Sequence, residues 1–333
     1  MFRLNYIGSK KSLLQTIDKV FEKYVNEGTT FADLFAGTGA VAKFVHDKYH
    51  CKVIANDMQY YAYIINKASL TRYTRAEIAE INELVVKYNA LRSPPASGGF
   101  FVKNYAPPTR MYFTTANAGR IDAMRRALEK ELVNEAVYTY MLANIISAAD
   151  KVANTSAVYA SYLKEFKDSA LREMTLMPFN VDLPMNKSGN RVYNADILEL
   201  GPRGNADVIY LDPPYNTRQY SDYYHILETI AKYDNPKIHG ITGIRDDLAN
   251  KKSLFSTAQV TESFERLVAG LECKVLILSY NDEGTMDMKD IRRILKARFG
   301  GGVKLYKIPY KKFIAQDNVE RKILYEYLFV ARK

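Results

Sequence analysis

A short apolar run that ends at an acid and two prolines constrains the fold of this chain most strongly. Val208 to Leu211 is uncharged and made of strand-forming residues, which is typical of a central strand in a parallel sheet. The segment Asp212-Pro213-Pro214-Tyr215 follows, and its two prolines fix φ and end the ladder. Open α/β sheets bind ligands just outside such strand ends. The sequence therefore predicts a turn that offers a carboxylate, a rigid carbonyl and an aromatic ring to a flat, amine-bearing ring. Taken alone, it also fits a Pro-Pro turn with a capping Asp.

A second motif indicates a nucleotide cofactor. An apolar strand leads into Gly37 and Gly39, and glycines at such a turn let the backbone approach a nucleotide closely. Asp57 ends the next strand, about 20 residues after the loop, where an acid accepts hydrogen bonds from ribose hydroxyls. Asp33 favours S-adenosylmethionine, because an acid at this strand end suits a cationic group better than a pyrophosphate. The glycines also fit a loose dinucleotide fingerprint, so a nicotinamide cofactor stays open at this point.

Strand and helix candidates alternate along most of the chain. The strand candidates are 31–35, 52–56, 191–195, 208–211, 274–279, 303–310 and 323–332. The helix candidates are 11–25, 76–90, 120–131, 132–147, 262–271 and 286–299. The last two strands leave no room for a crossover helix, so we expect them to form an antiparallel pair. The pattern predicts an α/β, Rossmann-like doubly wound sheet that ends in this pair.

The stretch from residue 71 to residue 190 interrupts this alternation. Its patterns are mainly helical, and an insertion of this length is not expected to be structureless. We therefore expect residues 1–70 and 191–333 to form a catalytic domain and residues 71–190 to form an inserted domain.

At this point the chain resembles the adenine-specific DNA methyltransferases of the Dam-type, D12 class, and within them most closely the FokI-type modification enzymes. The resemblance covers most of the chain. The stretches that carry it are Asn5–Lys10, Phe31–Gly39, Asn56-Asp57, Asn194–Asp196 and Asp212–Tyr215, and for the FokI-type branch Asp150–Ser156, Tyr215–Tyr220 with Tyr224-His225, and Ser279–Gly284.

The resemblance implies an S-adenosylmethionine-dependent methyltransferase that acts on a flipped adenine. Tyr215 would stack on the adenine ring, and Asp212 and the Pro213 carbonyl would accept its two amine hydrogens. The expected catalytic residues are Asp212, Pro213, Pro214 and Tyr215. The expected cofactor-binding residues are Tyr6, Lys10, Asp33, Phe35, Gly37, Gly39, Asp57, Asp196 and Asp212.

By the same resemblance, the insertion is the target-recognition region and double-stranded DNA is the substrate. A formal charge of +10 and a pI near 9.2 suit a polyanionic partner. The expected DNA-binding residues are Arg110, Arg120, Lys151, Arg218, Lys251 and Lys252, the last two in a second candidate DNA loop at residues 235–255. The resemblance also makes a cognate restriction endonuclease a candidate partner. For each aromatic residue of the insertion, packing in the core is the favoured interpretation.

Other features narrow the class of protein. The sequence has no long uncharged apolar run or signal peptide, so we expect a soluble, cytoplasmic protein without a membrane partner. The four histidines lack ligand spacing and the two cysteines lack a Cys-x-x-Cys pair, so we expect no metal. The alternatives are a methyltransferase that acts on RNA adenine or on a protein glutamine, a nicotinamide-dependent oxidoreductase, and an inactive DNA-binding module.

Overall fold

The computed structural model describes residues 2, 4–6, 8–91, 98–180, 189–215, 217, 219–311 and 323–333. Its strands are β1 (Thr30–Asp33), β2 (Lys52–Asn56), β3 (Arg191–Tyr193), β4 (Val208–Leu211), β5 (Ile238–His239), β6 (Ile244–Arg245), β7 (Val275–Asn281), β8 (Lys304–Lys311) and β9 (Ile323–Arg332). Its α-helices are α1 (Leu14–Phe21), α2 (Ala40–Tyr49), α3 (Tyr60–Leu70), α4 (Arg75–Asn89), α5 (Phe100–Tyr105), α6 (Thr115–Leu128), α7 (Glu135–Lys151), α8 (Asp168–Leu171), α9 (Tyr220–Tyr223), α10 (His225–Lys232), α11 (Val260–Gly270) and α12 (Met288–Phe299). Short 3-10 turns lie at Lys10–Ser12, Ile197–Glu199, Gly201–Gly204, Asp246–Lys251 and Leu254–Ser256.

The chain folds into two compact units, each built from discontinuous segments. The sheet unit comprises residues 9–58, 189–219 and 253–333. The helical unit comprises residues 1–8, 59–188 and 220–252. It thus contains nearly all of the expected insertion and adds α3, α9 and α10, whose apolar side chains share its core. A role of this unit in target recognition stays a prediction.

The sheet unit contains a seven-stranded sheet in the order β3-β2-β1-β4-β7-β9-β8. The pairs from β3 to β7 are parallel, and β9 is antiparallel to both β7 and β8. The predicted doubly wound sheet with a terminal antiparallel pair is therefore confirmed. The strand order reverses between β1 and β4, and this is the place where open α/β sheets bind ligands.

Alternate side chains of the central strands pack on opposite faces of the sheet. Phe31 on β1 and Tyr210 on β4 both contact Phe21 of α1 edge-on. Ile209 and Leu211 point to the other face and share a core with α11 and α12. Because both faces are covered, β4 is buried at every position, as its uncharged sequence predicts.

The helical unit is organised around α7. This helix packs against α3, α4, α6 and α10, and every residue from Met141 to Asp150 is buried. A helix that is apolar on nearly all sides is expected at the centre of a bundle. The side chains of Thr74, Thr114 and Asn134 accept hydrogen bonds from backbone N–H groups at the starts of α4, α6 and α7. Within the described ranges, no helix is long and apolar enough to cross a membrane.

Candidate active site

The predicted catalytic turn leaves β4 at its carboxyl end, next to the end of β1. Asp33, the last residue of β1, is in register with Tyr210 on β4. Asp212 follows β4 immediately, and Pro213 is buried behind it. Two acidic side chains therefore come from neighbouring strand ends at the position where the strand order reverses.

Lys10 provides the positive charge of this site. Its side chain is only 5% exposed, and its Nζ lies 2.8 Å from each carboxylate oxygen of Asp212. The same ammonium donates a hydrogen bond to the hydroxyl of Tyr215 and lies 4.7 Å from the centre of that ring. Lys10, which was expected to bind the cofactor, therefore contacts Asp212 and Tyr215, the first and last residues of the catalytic turn.

Glu326, on β9, completes the cluster and was missed by the sequence analysis. It is 2% exposed, and its Oε1 accepts hydrogen bonds from the hydroxyls of Tyr215, at 2.8 Å, and of Ser279. Lys10 Nζ lies 3.5 Å from the same oxygen. Burial raises the pKa of the Glu326 carboxyl and the charge of Asp212 adds to the rise, while Lys10 opposes it. The sequence does carry a sign of this residue, because Glu326 is charged while the other inward-facing residues of β9 are apolar.

Tyr215 is held from several directions. Its ring meets the ring of Tyr280 edge-on at a centroid distance of 5.3 Å, and its carbonyl accepts a hydrogen bond from the Thr285 N–H at 3.0 Å. The hydroxyl also donates to Asp212. Burial raises the pKa of Tyr215 well above its usual value, so this hydroxyl stays protonated and acts as a donor. Tyr280 belongs to the stretch Ser279–Gly284 that carried part of the resemblance.

Asp33 carries an unsatisfied buried oxygen. The side chain is 2% exposed, and its Oδ2 accepts a hydrogen bond from the Ala42 N–H at 3.1 Å. Its Oδ1 has no hydrogen-bond partner among the residues that the structure describes. Burial, with the nearby charge of Asp212, raises the pKa of Asp33 to about 8. A buried, unpartnered carboxylate oxygen fits a cationic ligand group, such as the ammonium of S-adenosylmethionine.

The glycine loop has the backbone geometry that its sequence predicts. Gly37 and Gly39 have φ values of +51° and +76°, in the left-handed region that favours glycine. Gly39 immediately precedes α2, and the Gly37 N–H donates to Asp57 Oδ2 at 2.8 Å. The loop and the acid expected to bind ribose are thus in direct contact.

Two other predicted cofactor residues lie in the sheet unit. Asp196 accepts a hydrogen bond from the Leu198 N–H at 2.9 Å and so caps a 3-10 turn after β3. Its neighbour Asn194 donates to the Asp57 carbonyl at 2.9 Å, which joins this segment to the end of β2. Phe35 packs edge-on against Phe255 at 5.0 Å between ring centres.

Tyr6 lies in the helical unit, where it packs in a group of tyrosines. Its ring stacks on Tyr224 at 4.7 Å and lies 5.6 Å from Tyr220. The preceding Asn5 N–H donates to the buried carboxylate of Asp150 at 2.7 Å. These contacts join three of the stretches that carried the resemblance, and a contribution of Tyr6 to cofactor binding stays a prediction.

Two of the expected DNA-binding arginines make hydrogen bonds within the protein, and their contribution to DNA binding stays a prediction. Arg120 is 5% exposed, and it donates to the carbonyls of Met174, Leu91 and Asn89. Arg110 donates to three carbonyls as well, at Asn104, Gly240 and Ile241. These guanidinium groups donate to backbone carbonyls in loops and at helix ends, which lack the donors that helix and sheet supply.

The remaining expected DNA contacts are less constrained. Lys151 and Lys252 are exposed. Arg218 and the side chain of Lys251 lie outside the described part of the chain. Core packing is confirmed for the aromatic residues of the insertion that are fully buried, which are Tyr88, Phe101, Tyr105, Tyr112, Phe113 and Tyr159.

The family model and the individual relatives that match this chain are all described as methyltransferases. Residues 6–294 match the family described as D12 class N6 adenine-specific DNA methyltransferase. The chain is 35% identical to the Type II methyltransferase M.FokI of Planomicrobium okeanokoites over 99% of this chain and 53% of that protein. It is 34% identical to M.NlaIII of Neisseria lactamica over 99% of both chains. It is also 34% identical to M.CviAII of Paramecium bursaria Chlorella virus 1, over 99% of this chain and 98% of that one. The chain therefore spans about half the length of M.FokI and nearly all of the other two.

Proposed function

This chain belongs to the D12 class of N6 adenine-specific DNA methyltransferases, and from that premise we propose that it methylates the exocyclic amine of adenine at a specific DNA site, with S-adenosylmethionine as the methyl donor. The observation that carries the proposal is the cluster of Lys10, Asp212 and Tyr215 near the Asp33 oxygen that has no hydrogen-bond partner in the described part of the chain. This site combines an acceptor for an amine, an aromatic ring and a buried carboxyl group at one end of the sheet.

In the proposed reaction, the catalytic turn binds the adenine and its exocyclic amine. An adenine in duplex DNA must leave the base stack before its amine can meet a methyl donor in line. In the proposed complex Tyr215 stacks on the extruded ring, while Asp212 and the Pro213 carbonyl accept the two amine hydrogens. These hydrogen bonds draw the nitrogen toward tetrahedral geometry and stabilise the positive charge that develops on it.

The chemistry is a direct displacement. S-adenosylmethionine supplies a methyl group on a positively charged sulfur. The amine nitrogen forms a bond to the methyl carbon, the carbon–sulfur bond breaks with its electron pair on sulfur, and the amine loses one proton. Because Asp212 accepts a hydrogen bond from this amine, its carboxylate is the group placed to receive the proton.

The cofactor residues fit their proposed partners. The unpaired oxygen of Asp33 suits the ammonium of the methionine part, and Lys10 offsets the charge of Asp212 next to it. Asp57 would accept hydrogen bonds from the ribose hydroxyls and Asp196 from the adenine amine. Gly37 tolerates the positive φ of the loop, and its lack of a side chain leaves room for the cofactor there. Tyr6, Phe35 and Gly39 complete the proposed set.

The deciding experiment is transfer of a labelled methyl group from S-adenosylmethionine to unmethylated duplex DNA, with nucleoside analysis of the product. We expect N6-methyladenine, and we expect Asp212→Ala to lower the rate by about 1,000-fold, the scale seen when a transition-state contact is lost. Asp290→Ala is the matched control, because Asp290 is a partly exposed aspartate of α12 in the sheet unit and belongs to none of the proposed sites. It is expected to keep the wild-type rate.

Transfer to RNA or to a protein glutamine in place of DNA would contradict the proposed substrate. A nicotinamide-dependent oxidoreductase, which the glycine loop alone left open, is set aside by the family to which the chain belongs.

The proposal extends to a biological context. The relatives named above are described as Type II methyltransferases, which supports a role in a restriction–modification system, in the cytoplasm, with a cognate endonuclease that reads the same DNA site. If so, DNA methylated by this chain resists an endonuclease from the same cells, and unmethylated DNA is cut. Equal cutting of both DNAs would contradict the pairing.

A further inference from the structure

Glu326 is a buried charge beside the catalytic turn that the proposed mechanism does not use. It lies on β9, distant in sequence from every predicted site residue, and it is 2% exposed. Its Oε1 contacts Tyr215, Ser279 and Lys10, which are themselves parts of the site or its support. A glutamate on the inward side of an otherwise apolar strand needs a physical explanation.

Stability does not explain this glutamate. The cluster holds two carboxylates, Glu326 and Asp212, around the single ammonium of Lys10, with Asp33 close by. Placing a charged pair in the interior is usually no more stable than an uncharged replacement, and a second anion raises the penalty. An acidic residue kept under these conditions points to a role in the reaction.

The hydrogen bonds around Tyr215 indicate what the role is. The Tyr215 hydroxyl has a single hydrogen, and two carboxylate oxygens, on Asp212 and Glu326, lie within reach of it. When Glu326 takes that hydrogen, Asp212 keeps a lone pair for the adenine amine. Lys10 is shared in the same way, because its ammonium contacts both carboxylates.

Glu326 also fixes where the Tyr215 ring lies. The carbonyl of Tyr215 is held by the Thr285 N–H, and its hydroxyl, at the other end of the side chain, is held by Glu326. Ser279 on β7 donates to the same Glu326 oxygen and so holds the glutamate in place. The ring that is proposed to stack on the adenine is thereby anchored at both ends.

We propose that Glu326 is a positioning residue for methyl transfer: it anchors the Tyr215 ring and competes with Asp212 for the Tyr215 hydrogen and the Lys10 charge, which leaves Asp212 a stronger acceptor for the adenine amine. This inference rests on the proposed function. It assigns Glu326 no contact with the substrate or the cofactor, so its effect passes through Tyr215 and Lys10.

A double-mutant cycle between Glu326→Gln and Tyr215→Phe tests this. The rate is measured in a single turnover, with labelled S-adenosylmethionine and excess enzyme over unmethylated phage DNA. We expect Glu326→Gln to slow transfer at least tenfold in the wild-type background and less than threefold in the Tyr215→Phe background, since the hydroxyl that links the two is then absent. We expect the Kd for S-adenosylmethionine to change less than threefold, and the melting temperature to be unchanged or higher.

The control is Glu228→Gln, which neutralises a fully buried glutamate of the helical unit. It is expected to transfer methyl groups within twofold of the wild-type rate. If Glu326→Gln does not fold, Ser279→Ala replaces it, because it removes a donor to Glu326 without changing any charge. That variant is expected to be at least threefold slower than wild type, and an unchanged rate would overturn the inference.

Two results with Glu326→Gln overturn the inference. One is a rate within twofold of wild type, and the other is the same fold-loss in both backgrounds, which would describe an independent structural effect. A wild-type chain that binds S-adenosylmethionine but transfers nothing to DNA overturns the proposed function, and this inference with it. An active wild type with an equally active variant overturns the inference alone.

Discussion

At the scale of single residues, the site depends on how burial changes the chemistry of its acids. Asp33 combines a raised pKa of about 8 with an oxygen that has no hydrogen-bond partner in the described part of the chain. The side chain is therefore largely neutral at pH 7 in the cofactor-free protein and is suited to ionise when a cation arrives. Binding of S-adenosylmethionine should then release a proton to the buffer.

The raised pKa of Asp33 predicts a pH-dependent gain in stability for Asp33→Asn. The unfolded aspartate titrates near 3.8 and the folded one near 8. Between these values folding requires proton uptake, so the free energy of unfolding falls as pH rises, and asparagine removes the effect. We expect the cofactor-free variant to be more stable than wild type by about 5 kcal/mol at pH 8, with a gain that shrinks toward pH 4. Thermal melts between pH 5 and 8 measure it.

Asp290→Asn, at a partly exposed position of α12 in the same unit, serves as the control and should leave the pH dependence of the melting temperature between pH 5 and 8 unchanged. The same Asp33 variant should bind S-adenosylmethionine at least ~10-fold more weakly, because an ammonium loses its charged partner. A stability difference that is the same at every pH would refute the account of Asp33.

The sequence predicted which residues lie in the candidate site only where a motif fixes the backbone. Asp212 and Tyr215 could be assigned because prolines and a buried strand set their position. Glu326 could not, since its partners come from segments far away in the sequence. The hydrogen bonds of Arg110 and Arg120 could not be predicted either, because the carbonyls that they contact come from segments far away in the sequence.

At the scale of elements, the hairpin of β5 and β6 depends on a residue outside it. Arg110, from the loop between α5 and α6, donates to the carbonyls of Gly240 and Ile241 at the turn of the hairpin. The hydroxyl of Tyr105 donates to the Gly243 carbonyl at 2.8 Å. A two-residue strand pair is marginal by itself, so these contacts must supply much of its stability.

Arg110→Ala should therefore open the hairpin. Removing the two hydrogen bonds to the hairpin turn, of about 1 kcal/mol each, predicts exchange of the amide hydrogens of residues 238–245 that is faster by about 30-fold. Hydrogen–deuterium exchange followed by mass spectrometry measures it, with Lys103→Ala on the exposed side of α5 as the matched control. Unchanged exchange, together with a weaker salt dependence of DNA binding, would instead restore Arg110 as a phosphate contact.

Most elements were predictable because their signals are local. The predicted strands 52–56, 208–211 and 323–332 have the same bounds in the structure. The helix predicted at 120–131 begins earlier, at Thr115, because Thr114 caps it and small residues fill its first turn without an apolar period. Capping was thus a better guide to the helix start than hydrophobicity.

At the scale of the whole molecule, the sequence did not reveal which segments share a core. The segment of α9 and α10 follows the catalytic turn, and the sequence analysis assigned it to the catalytic domain. In the structure Ile226, Leu227 and Ile230 of α10 are buried in the core of the helical unit. Hydrophobic periodicity predicts a buried face, but it does not identify the partner of that face.

Ligand binding offers a test at this scale. S-adenosylmethionine at about 100 times its Kd should stabilise the folded chain by about 2.7 kcal/mol, and NAD at the same concentration should leave the melting temperature unchanged. Differential scanning fluorimetry measures both. Stabilisation by NAD alone would contradict the proposed cofactor.

The place of β9 in the sheet makes the proposed site depend on a segment that is synthesised after both of its motifs. This strand follows β8 in the sequence, yet it lies between β7 and β8 in the sheet and brings Glu326 to the turn that follows β4. A nascent chain still lacking residues 323–332 has the glycine loop and Asp-Pro-Pro-Tyr, but neither an intact sheet nor the glutamate. If translation stops early, or the reading frame shifts after β8, we therefore expect a polypeptide without methyltransferase activity rather than one that methylates DNA at unspecific sites.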